Sequence, residues 1–463
     1  MTYQEAVAYL ESFTNYERAP DPQAMRQVTL ERVRRLCRRL GDPQRRFRSI
    51  VVAGTNGKGS ICAMLYSMLR ESPLRVGLYT SPHVEHLRER VRAWTGGPDP
   101  EERTHGDDWI REDEFAAIIE RLRSALEELR HESLEAAPTY FEVLTAAAFV
   151  YFTQRQVDVA VLEVGLGGRL DATNVVDQAV SVIAPIDVDH AEVLGADAAS
   201  IAREKAGIIK PGQIVVTASQ PDKASAVLRA AAAERGAPLF TCGKDLTVAV
   251  HEQSLDGVQA TITGLRGIYE GLDIPLIGRH QAENAALAVG ALEALSDTGV
   301  PHSLVERGLF RVNWPGRMEI VNDAPLVLMD GAHNPHAASA LARTLTELCQ
   351  GRRIHLLVGM SSDKSPEGLG ALLGGLSVSA TCTRSRHPRA LDPLALAKHL
   401  APFCPDVHVM SDPADAYTYL LNAVSPSDMI VVTGSLFLVG ELRGALRCSH
   451  VRPRRTAAAA SRS

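Results

Sequence analysis

Short runs of apolar residues rich in Val and Ile alternate along nearly the whole chain with longer stretches of helical periodicity. In the first half the runs read SIVVAG, VGLYTS, DVAVLEVG, AVSVIAPID and QIVVTA. In the second half they read RMEIV, LVLMD, RIHLLVG, VSATCT, VHVMS and DMIVVTG. Strands that alternate with helices form parallel sheets with helices packed on their faces. The pattern therefore predicts an α/β protein with mostly parallel sheets.

The same periodicity predicts where helices and domains begin and end. Helices are predicted at Lys58–Arg70, Glu112–His131, Tyr140–Gln154, Ala198–Gly207 and His280–Ser296. Between Asp245 and Gly271 the pattern changes to short alternating runs, which favours an antiparallel hairpin region. The strand–helix alternation restarts after residues 297–301, so a domain boundary is predicted there. A chain of 463 residues is also too long for one ordinary core.

Two stretches are predicted to be peripheral. Thr95–Trp109 (TGGPDPEERTHGDDW) is polar and rich in turn residues, which is typical of a surface insertion. The tail from residue 449 to 463 has no apolar period and is predicted to be disordered.

Composition excludes several classes of function. A net charge of −6 disfavours nucleic acid as a partner, because such proteins normally present a basic face. The seven cysteines never form a C-x-x-C pair, which argues against structural zinc and suits a reducing compartment. No apolar run reaches membrane length, and the N-terminus does not read as a signal peptide. The expectation is a cytoplasmic protein, a monomer, with neither a membrane nor a nucleic acid as partner.

A glycine-rich segment, GTNGKGS, lies between an apolar strand and a helix. Backbone N–H groups at a helix N-terminus attract anions, and a lysine adds a point charge, so the segment favours a nucleotide phosphate. The general phosphate-loop pattern has a glycine where this chain has Val52 and a hydroxyl where it has Gly59. From these residues alone, a glycine-rich turn without a ligand remains open.

Polar residues follow several of the other predicted strands. Ser81, Glu163 and His190 each come at or just after an apolar run, where doubly wound sheets bind ligands. A hydroxyl, a carboxylate and an imidazole at neighbouring strand ends would suit Mg²⁺ beside a phosphate chain. The same residues also suit ordinary solvated turns. For Glu204 and Lys205, within one helix, spacing alone favours a solvated charge pair.

The second half repeats this arrangement. Asp330 ends an apolar run, and His333 and Asn334 precede the next helix, which suits a ribose or a carboxylate-bearing amino acid. Arg317 follows a Pro-Gly turn, and Ser435 follows the last strand. Each residue also reads as turn or cap chemistry. Their number favours a binding cleft shared by two α/β domains.

Taken in order, the motifs resemble the folylpolyglutamate synthase and dihydrofolate synthase family, a branch of the Mur ligase superfamily. They are GTNGKGS, YTSPHV, TYFEVLTAAAF, LEVGLGGRLDATN, DHAEVLG, EKAGIIKPG, GRHQAEN, WPGRME, DGAHNPHA and GSLFLVGE. The irregular phosphate loop is the form that this family has. The resemblance implies an N-terminal P-loop ATPase domain of Mur-ligase type with a pterin/folate site, residues 1–298. It also implies a smaller Rossmann-like C-terminal glutamate-ligase domain, residues 299–448.

The resemblance also implies roles for individual residues, including catalytic roles for Lys58, Lys205 and His333. The ATP phosphates would be bound by Gly54, Thr55, Asn56, Gly57, Lys58, Gly59 and Ser60. Other nucleotide contacts would come from Asn284, Arg317 and Asp330. Magnesium would be held by Ser81, Glu163 and His190, and Lys205 would carry a carbamate that supports a second ion. Glutamate would be bound by Asp330, His333 and Ser435. The pterin side would be contacted by Thr139, Leu170, Asp171 and Ala172.

The activity implied is an ATP-dependent amide ligase that proceeds through an acyl phosphate. It would add L-glutamate to dihydropteroate, to the γ-carboxylate of reduced folates, or to both. One departure from the family pattern is Thr29 in RQVTLERV, where the family often has glycine. That departure leaves open a folylpolyglutamate synthase without dihydropteroate activity. A Mur-type cell-wall amino-acid ligase and a P-loop ATPase that joins nothing are two competing hypotheses.

Overall fold

A computed structural model describes residues 1–26, 28–96, 106–132, 137–296 and 298–448. The predicted disordered tail lies outside these residues. The chain divides into two compact units. Unit 1 comprises Met1–Ala249, Thr261–Leu272 and Glu283–Arg311. Unit 2 comprises Val250–Ala260, Asp273–Ala282 and the chain from Val312 onward.

Unit 1 is built on a seven-stranded sheet. Its strands are β1 (Arg48–Ala53), β2 (Val76–Tyr79), β3 (Val91–Trp94), β4 (Val159–Glu163), β5 (Val180–Ile183), β6 (Ile214–Thr217) and β7 (Leu239–Thr241). Their order is β3-β2-β4-β1-β5-β6-β7, and only the edge strand β3 runs antiparallel to its neighbour. The central strands are buried almost throughout, as expected for strands with helices on both faces. The predicted α/β class is confirmed.

Helices surround this sheet. They are α1 (Tyr3–Glu11), α2 (Pro22–Arg26), α3 (Leu30–Arg39), α4 (Lys58–Leu69), α5 (Glu112–Glu132), α6 (Tyr140–Gln154), α7 (Ala191–Leu194), α8 (Ala198–Ala206), α9 (Asp222–Glu234), α10 (Arg279–Leu295) and α11 (His302–Phe310). The five helices predicted from periodicity are all confirmed to within one residue at either end. Helices α4 and α6 are apolar on nearly every face and are correspondingly buried.

The stretch predicted as a hairpin region forms a separate three-stranded sheet. Its strands are β8 (Thr247–Ser254), β9 (Gly257–Thr263) and β10 (Ile268–Ile274), in the order β10-β9-β8. The fully buried Glu293 of α10 accepts backbone N–H bonds from Leu265 and Gly267 and a hydroxyl bond from Tyr269. A buried carboxylate needs several donors, and here they fix the turn between β9 and β10.

Unit 2 contains a six-stranded sheet and its own helices. The strands are β11 (Glu319–Asp323), β12 (Leu326–Met329), β13 (Ile354–Val358), β14 (Ser379–Cys382), β15 (Val407–Val409) and β16 (Met429–Thr433). The helices are α12 (Pro335–Leu348), α13 (Pro366–Leu373), α14 (Pro393–Leu400), α15 (Pro413–Ala423) and α16 (Leu436–Cys448). The strand order is β11-β12-β16-β13-β14-β15, with only β11 antiparallel.

Four helices of unit 2 begin in the same way. Proline is the first residue of α12, α13, α14 and α15, and the preceding side chain accepts a backbone N–H bond. The capping residues are Asn334, Ser365, Asp392 and Asp412. A side-chain cap followed by proline stabilises a helix start, because proline lacks the N–H that would be unpaired there. These starts are therefore specified locally by the sequence.

The predicted surface insertion is only partly described. Residues 97–105 of it lie outside the described chain. Its end is not peripheral, contrary to the prediction: Trp109 bridges Arg92 of β3, and the Ala93 N–H donates to the Asp108 carbonyl at 2.9 Å. Asp108 is buried and pairs with Arg70 at 3.4 Å. Polar residues can extend a sheet edge because the pairing uses backbone groups only.

Candidate active site

The centre of the first sheet has the topology of a ligand-binding crevice. The chain leaves β1 toward β2 on one side and leaves the adjacent β5 toward β6 on the other. In open α/β sheets, ligands bind at the carboxyl ends of strands where the order reverses in this way. Here the two loops are joined: the Thr55 hydroxyl donates to the Asp187 carbonyl at 2.9 Å, and the Thr55 N–H donates to the Pro185 carbonyl at 2.9 Å.

The glycines of the loop after β1 are required by its geometry. Gly54 and Gly57 have φ angles of 153° and 83°, and Gly57 immediately precedes α4. A Cβ at Gly54 would lie 2.5 Å from the Ala184 Cβ, and one at Gly57 would lie 2.6 Å from Oδ1 of Asn284. A larger residue would therefore clash at either position. The structure places Asn284, a predicted nucleotide contact, directly against the loop.

The start of α4 presents backbone N–H groups at the place where the sequence analysis expects an anion. Lys58, Gly59 and Ser60 form its first turn, following Asn56 and Gly57 of the loop. The first N–H groups of a helix have no partner within that helix and carry the positive end of its dipole. This arrangement suits the phosphates of a nucleotide.

Two lysines converge on one carbonyl oxygen of the loop. Nζ of Lys58 lies 3.1 Å and Nζ of Lys205 lies 2.8 Å from the Gly54 oxygen. Lys58 also donates to the Thr55 carbonyl at 3.2 Å. Burial, and then the Lys58 charge, lower the pKa of Lys205 to about 7. Residues 54–60 together with Lys205 are called the phosphate edge below. The Lys58 ammonium thus lies at the glycine-rich loop, where it can bind a nucleotide phosphate.

The surroundings of Lys205 correct the solvated charge pair that spacing favoured. Only Glu204 faces outward, where its Oε1 accepts from Nε and Nη2 of Arg169 at 3.0 and 2.9 Å. Lys205 is 3% exposed. The two residues are adjacent on α8 and therefore point in different directions, one to a surface ion pair and one to the phosphate loop. Glu204 also binds the Arg169 N–H through its carbonyl, which fixes the GLGGR loop on α8.

Two of the three predicted metal ligands lie together. Oε2 of the buried Glu163 accepts the Ser81 N–H at 3.1 Å, at the ends of the adjacent strands β4 and β2. A carboxylate and a hydroxyl are the hard oxygen donors that Mg²⁺ prefers, so these two residues fit the ion. His190 follows β5, is exposed, and has its ring 4.0 Å from Asp189. Within the described residues, no three His, Cys, Asp or Glu side chains form a metal-binding group.

The residues predicted for the pterin side have structural partners. Thr139 caps α6 in a reciprocal pair with Glu142, at 2.6 and 3.3 Å. Asp171 accepts four hydrogen bonds from Gly165, Leu166 and Thr173 in its own loop. These side chains therefore shape the backbone of the two segments that carry them, which we call the candidate pterin wall.

The apolar part of that wall contains a residue that sequence reasoning missed. Leu170 packs partly buried against the core beside the buried Ala172. Phe141 lies against Gly165, where an added Cβ would meet its ring at 2.8 Å. Phe141 thereby connects the start of α6 to the loop after β4. The only signal in the sequence was the aromatic pair that follows Thr139.

A second missed group lies in the loop after β2. The guanidinium of Arg90, 1% exposed, binds both oxygens of Glu17 at 2.8 and 2.6 Å and donates from Nε to Nδ1 of His83 at 2.9 Å. Burial and the Arg90 charge lower the pKa of His83 to about 3. Glu89 accepts three backbone N–H bonds from residues 84–86 and folds the same loop. The charge-rich run HVEHLRER directly after a strand end was the available signal.

In unit 2 the predicted residues gather at the end of β12. Asp330 accepts N–H bonds from Met318 and Ala332, both at 2.9 Å, and burial raises its pKa. Arg317 opposes that shift and lies against Gly331, where an added Cβ would be 2.6 Å from Nη1. Nδ1 of His333 lies 3.0 Å from the Gly331 carbonyl.

Ser435 joins this group through the neighbouring strand. It follows β16, which pairs with β12, and the Gly434 N–H donates to the Ala332 carbonyl at 3.0 Å. The Ser435 hydroxyl accepts the Phe437 N–H at 3.2 Å. We call Arg317, Asp330, His333 and Ser435 the Asp330 edge. Its carboxylate, guanidinium, imidazole and hydroxyl can bind a molecule that carries both charges.

The two α/β units match the two domains of a Mur-type ligase. The family model of the Mur ligase middle domain matches residues 112–292, and that of the Mur ligase glutamate ligase domain matches residues 316–436. Within the described residues, no helix is long and apolar enough to cross a membrane.

Individual relatives identify the branch of the Mur ligases to which this chain belongs. The dihydrofolate synthase/folylpolyglutamate synthase of Bacillus subtilis is 35% identical over 90% of this chain and 95% of its own. Folylpolyglutamate synthase of Mycobacterium tuberculosis, solved with ADP, is 32% identical, covers 98% and 99% of the two chains, and has a TM-score of 0.86. The bifunctional enzyme of Yersinia pestis, solved with AMPPNP and Mn, is 31% identical over 96% and 98%, with a TM-score of 0.81. The chain belongs to the folylpolyglutamate synthase/dihydrofolate synthase family.

Proposed function

We propose that this chain is a bifunctional enzyme that uses ATP to join L-glutamate to dihydropteroate and to the γ-carboxylate of reduced folates. ATP-dependent ligation of glutamate to folates is the activity for which its relatives are named. The observation that carries the proposal is the position of Lys58 in the first turn of α4, where its ammonium binds the Gly54 and Thr55 carbonyls of the glycine-rich loop. That arrangement supports the binding of ATP phosphates in the crevice at the carboxyl ends of β1 and β5.

The first step transfers a phosphoryl group. A carboxylate oxygen of the acceptor attacks the γ-phosphorus of ATP, and the bond to the β–γ bridging oxygen breaks, leaving an acyl phosphate and ADP. Lys58 leaves the loop carbonyls and binds the transferring group, while the first turn of α4 holds the other phosphates. A bound Mg²⁺, held by Ser81, Glu163 and His190, would neutralise phosphate charge. Asn284, Arg317 and Asp330 complete the nucleotide contacts.

The second step forms the amide. The glutamate amine attacks the acyl carbon, and the tetrahedral intermediate expels inorganic phosphate. The amine must lose its proton before it attacks, and His333 is the residue at the Asp330 edge suited to accept or relay that proton. Asp330 and Ser435 hold the incoming glutamate in this proposal. Positioning by charged and hydrogen-bonding groups supplies most of the rate.

Lys205 carries a carbamate in the same proposal. Its amine nitrogen adds to CO₂ and releases one proton, which gives an anionic oxygen ligand for a second metal ion. Only a neutral amine can react in this way. The lowered pKa of Lys205, about 7, supports this step because a large neutral fraction exists near neutral pH.

The remaining assignments belong to the proposal as well. Residues 1–298 would form the ATP-binding domain with the pterin/folate site, and residues 299–448 the glutamate-ligase domain. The enzyme would act as a cytoplasmic monomer on small-molecule substrates. Thr139, Leu170, Asp171 and Ala172 would line the pterin side, where the first two offer a polar and an apolar surface.

One observation favours a narrower second candidate, a folylpolyglutamate synthase alone. Thr29 occupies the position before α3 without a side-chain cap bond. The same helix approaches the pterin wall, because Nε of Arg32 lies 3.2 Å from Glu142. A changed residue at the start of α3 can therefore alter a dihydropteroate pocket without touching the phosphate edge.

Mass spectrometry of the products tests both candidates. The enzyme is incubated with ATP, Mg²⁺ and glutamate, and with either dihydropteroate or tetrahydrofolate. The bifunctional proposal predicts dihydrofolate from the first acceptor and γ-linked polyglutamates from the second. Products from tetrahydrofolate alone, at comparable saturation, would reduce the enzyme to the narrower candidate. ATP hydrolysis with no acceptor dependence would instead identify an ATPase, and product from a cell-wall nucleotide acceptor a Mur-type ligase.

A further inference from the structure

The loop after β2 contains a buried arginine whose hydrogen bonds fix a neighbouring histidine. Arg90 donates from Nε to Nδ1 of His83 at 2.9 Å while its other nitrogens bind Glu17 at 2.8 and 2.6 Å. A guanidinium in a protein is always a donor. Nδ1 of His83 must therefore be the acceptor, which excludes an imidazolium and places the single ring proton on Nε2.

The remaining nitrogen of this ring is available for a ligand. Within the described chain, Nε2 of His83 has no hydrogen-bond partner, and the histidine is only half-buried. Arg90 itself is held in place from several sides: its guanidinium lies 5.9 Å from the Tyr140 ring, and its carbonyl accepts the Thr80 N–H at 3.0 Å. The orientation of His83 is therefore built into the fold.

The position of this pair points to one part of the substrate. His83 lies two residues beyond Ser81, the candidate metal ligand, and Arg90 contacts Tyr140, which follows Thr139 of the candidate pterin wall. An acceptor bound between those two places would put its aminobenzoyl arm and terminal carboxylate near the histidine. A neutral donor can orient that carboxylate without the strong charge pairing that would reduce its nucleophilicity.

We propose that Arg90 is a positioning residue that holds His83 as a neutral Nε2–H donor to the carboxylate-bearing arm of the folate acceptor. The inference rests on the proposed function, because it presumes a folate acceptor. It assigns His83 to acceptor binding and gives Arg90 a role that acts only through His83. ATP binding at the phosphate edge does not involve either residue.

Steady-state kinetics with tetrahydrofolate, ATP and glutamate tests the assignment. His83→Leu should raise the acceptor KM roughly ten- to a hundredfold, the usual worth of a hydrogen bond to a charged group. His83→Gln, which restores an N–H near the Nε2 position, should recover all but a few-fold of the loss. The ATP KM should stay within about twofold of wild type in both variants. An unchanged acceptor KM in His83→Leu, or no recovery in His83→Gln, overturns the proposal.

A double-mutant cycle tests whether Arg90 acts through His83. Arg90→Met should raise the acceptor KM in the wild-type background and add little when His83 is already Leu. Equal effects in both backgrounds would show that Arg90 does not act through His83, and would overturn that role. Arg70→Met is the matched control, because Arg70 also pairs with a carboxylate, Asp108, and lies 4.5 Å from an aromatic ring, Trp94. It should leave the acceptor KM unchanged.

A measurement on the wild-type enzyme keeps the inference testable if Arg90→Met does not fold. Nitrogen NMR of the enzyme with ¹⁵N-labelled histidine should show His83 protonated at Nε2 and not at Nδ1, and the opposite tautomer would overturn the proposal. Failure of the proposed function is separately visible. Wild-type enzyme without any folate ligation would overturn both ideas, whereas normal wild-type turnover with a silent His83→Leu would overturn only this one.

Discussion

The phosphate edge and the Asp330 edge both lie at the carboxyl ends of parallel strands, yet opposite charges lie at their centres. At the phosphate edge, the Lys58 ammonium binds the loop carbonyls, and the Lys205 amine, whose pKa is about 7, shares the Gly54 carbonyl. At the Asp330 edge, a carboxylate is held by two backbone N–H groups, with Arg317 beside it. The first arrangement suits a polyanion and the second suits an amino acid. The same position in a sheet can therefore suit different ligands according to which charge the loops carry.

The largest effect should come from removing a cation of the phosphate edge. Lys58→Ala should lower kcat by about a thousandfold, because the lysine stabilises charge on the transferring phosphoryl group. The fold should persist, since among the described residues the Lys58 ammonium donates hydrogen bonds only to loop carbonyls. Turnover is measured as ADP release at saturating ATP. Lys223→Ala, at an exposed position of α9, is the control. Near-normal turnover of Lys58→Ala would reject the phosphate-loop assignment.

The glycine-rich loop of the phosphate edge was easier to single out from the sequence than Lys205 or the Arg90–Glu17 pair, for a physical reason. The glycines and Lys58 act within one strand–loop–helix unit, so a local pattern reveals them. The burial of Lys205 depends on a carbonyl 151 residues away, and the Arg90–Glu17 pair joins residues 73 apart. No local pattern reports such contacts. The fold class and five helices could be predicted because periodicity is a local property.

At the candidate pterin wall, the sequence pattern does not separate a structural role from ligand binding. Thr139 and Asp171 were singled out as ligand contacts, yet their polar atoms bind the backbone of their own segments. Capping and ligand binding use the same residue types, so sequence alone does not separate them. Phe141 has no polar side-chain atom that would suggest a role in binding, although its ring lies against Gly165.

A change at the Asp330 edge should affect glutamate rather than ATP. His333→Ala should lower glutamate-dependent turnover by roughly a hundredfold, as expected when a positioned proton acceptor is lost. The ATP KM should change little, because the phosphate edge is intact. The measurement is amide product formed over a range of glutamate concentrations. His399→Ala, an exposed histidine of α14 in the same unit, is the control. Equal losses in the glutamate and ATP titrations would remove the distinction between the two edges.

The metal ligands should give an intermediate effect. Glu163→Gln should raise the Mg²⁺ concentration for half-maximal activity at least about tenfold, because the amide removes the charge that binds the ion. The Ser81 N–H can still donate to the amide oxygen, so the loop after β2 should keep its shape. His190→Ala should shift the same titration. Glu192→Gln, exposed in α7, is the control. Magnesium curves that overlay the wild type would place the metal elsewhere.

The smallest effect concerns the stability cost of burying Lys205. Its folded-state pKa is about 7, below the ordinary 10.5, so between these values the unfolded chain binds more protons than the folded one. Stability must then rise with pH across that window. In CO₂-free buffer, Lys205→Met should be more stable than wild type at pH 6, with a difference that shrinks by pH 9. Urea unfolding midpoints measure this, and bicarbonate should stabilise only the wild type if a carbamate forms. A pH-independent difference would mean that Lys205 does not titrate near neutrality, and the carbamate proposal would lose its chemical basis.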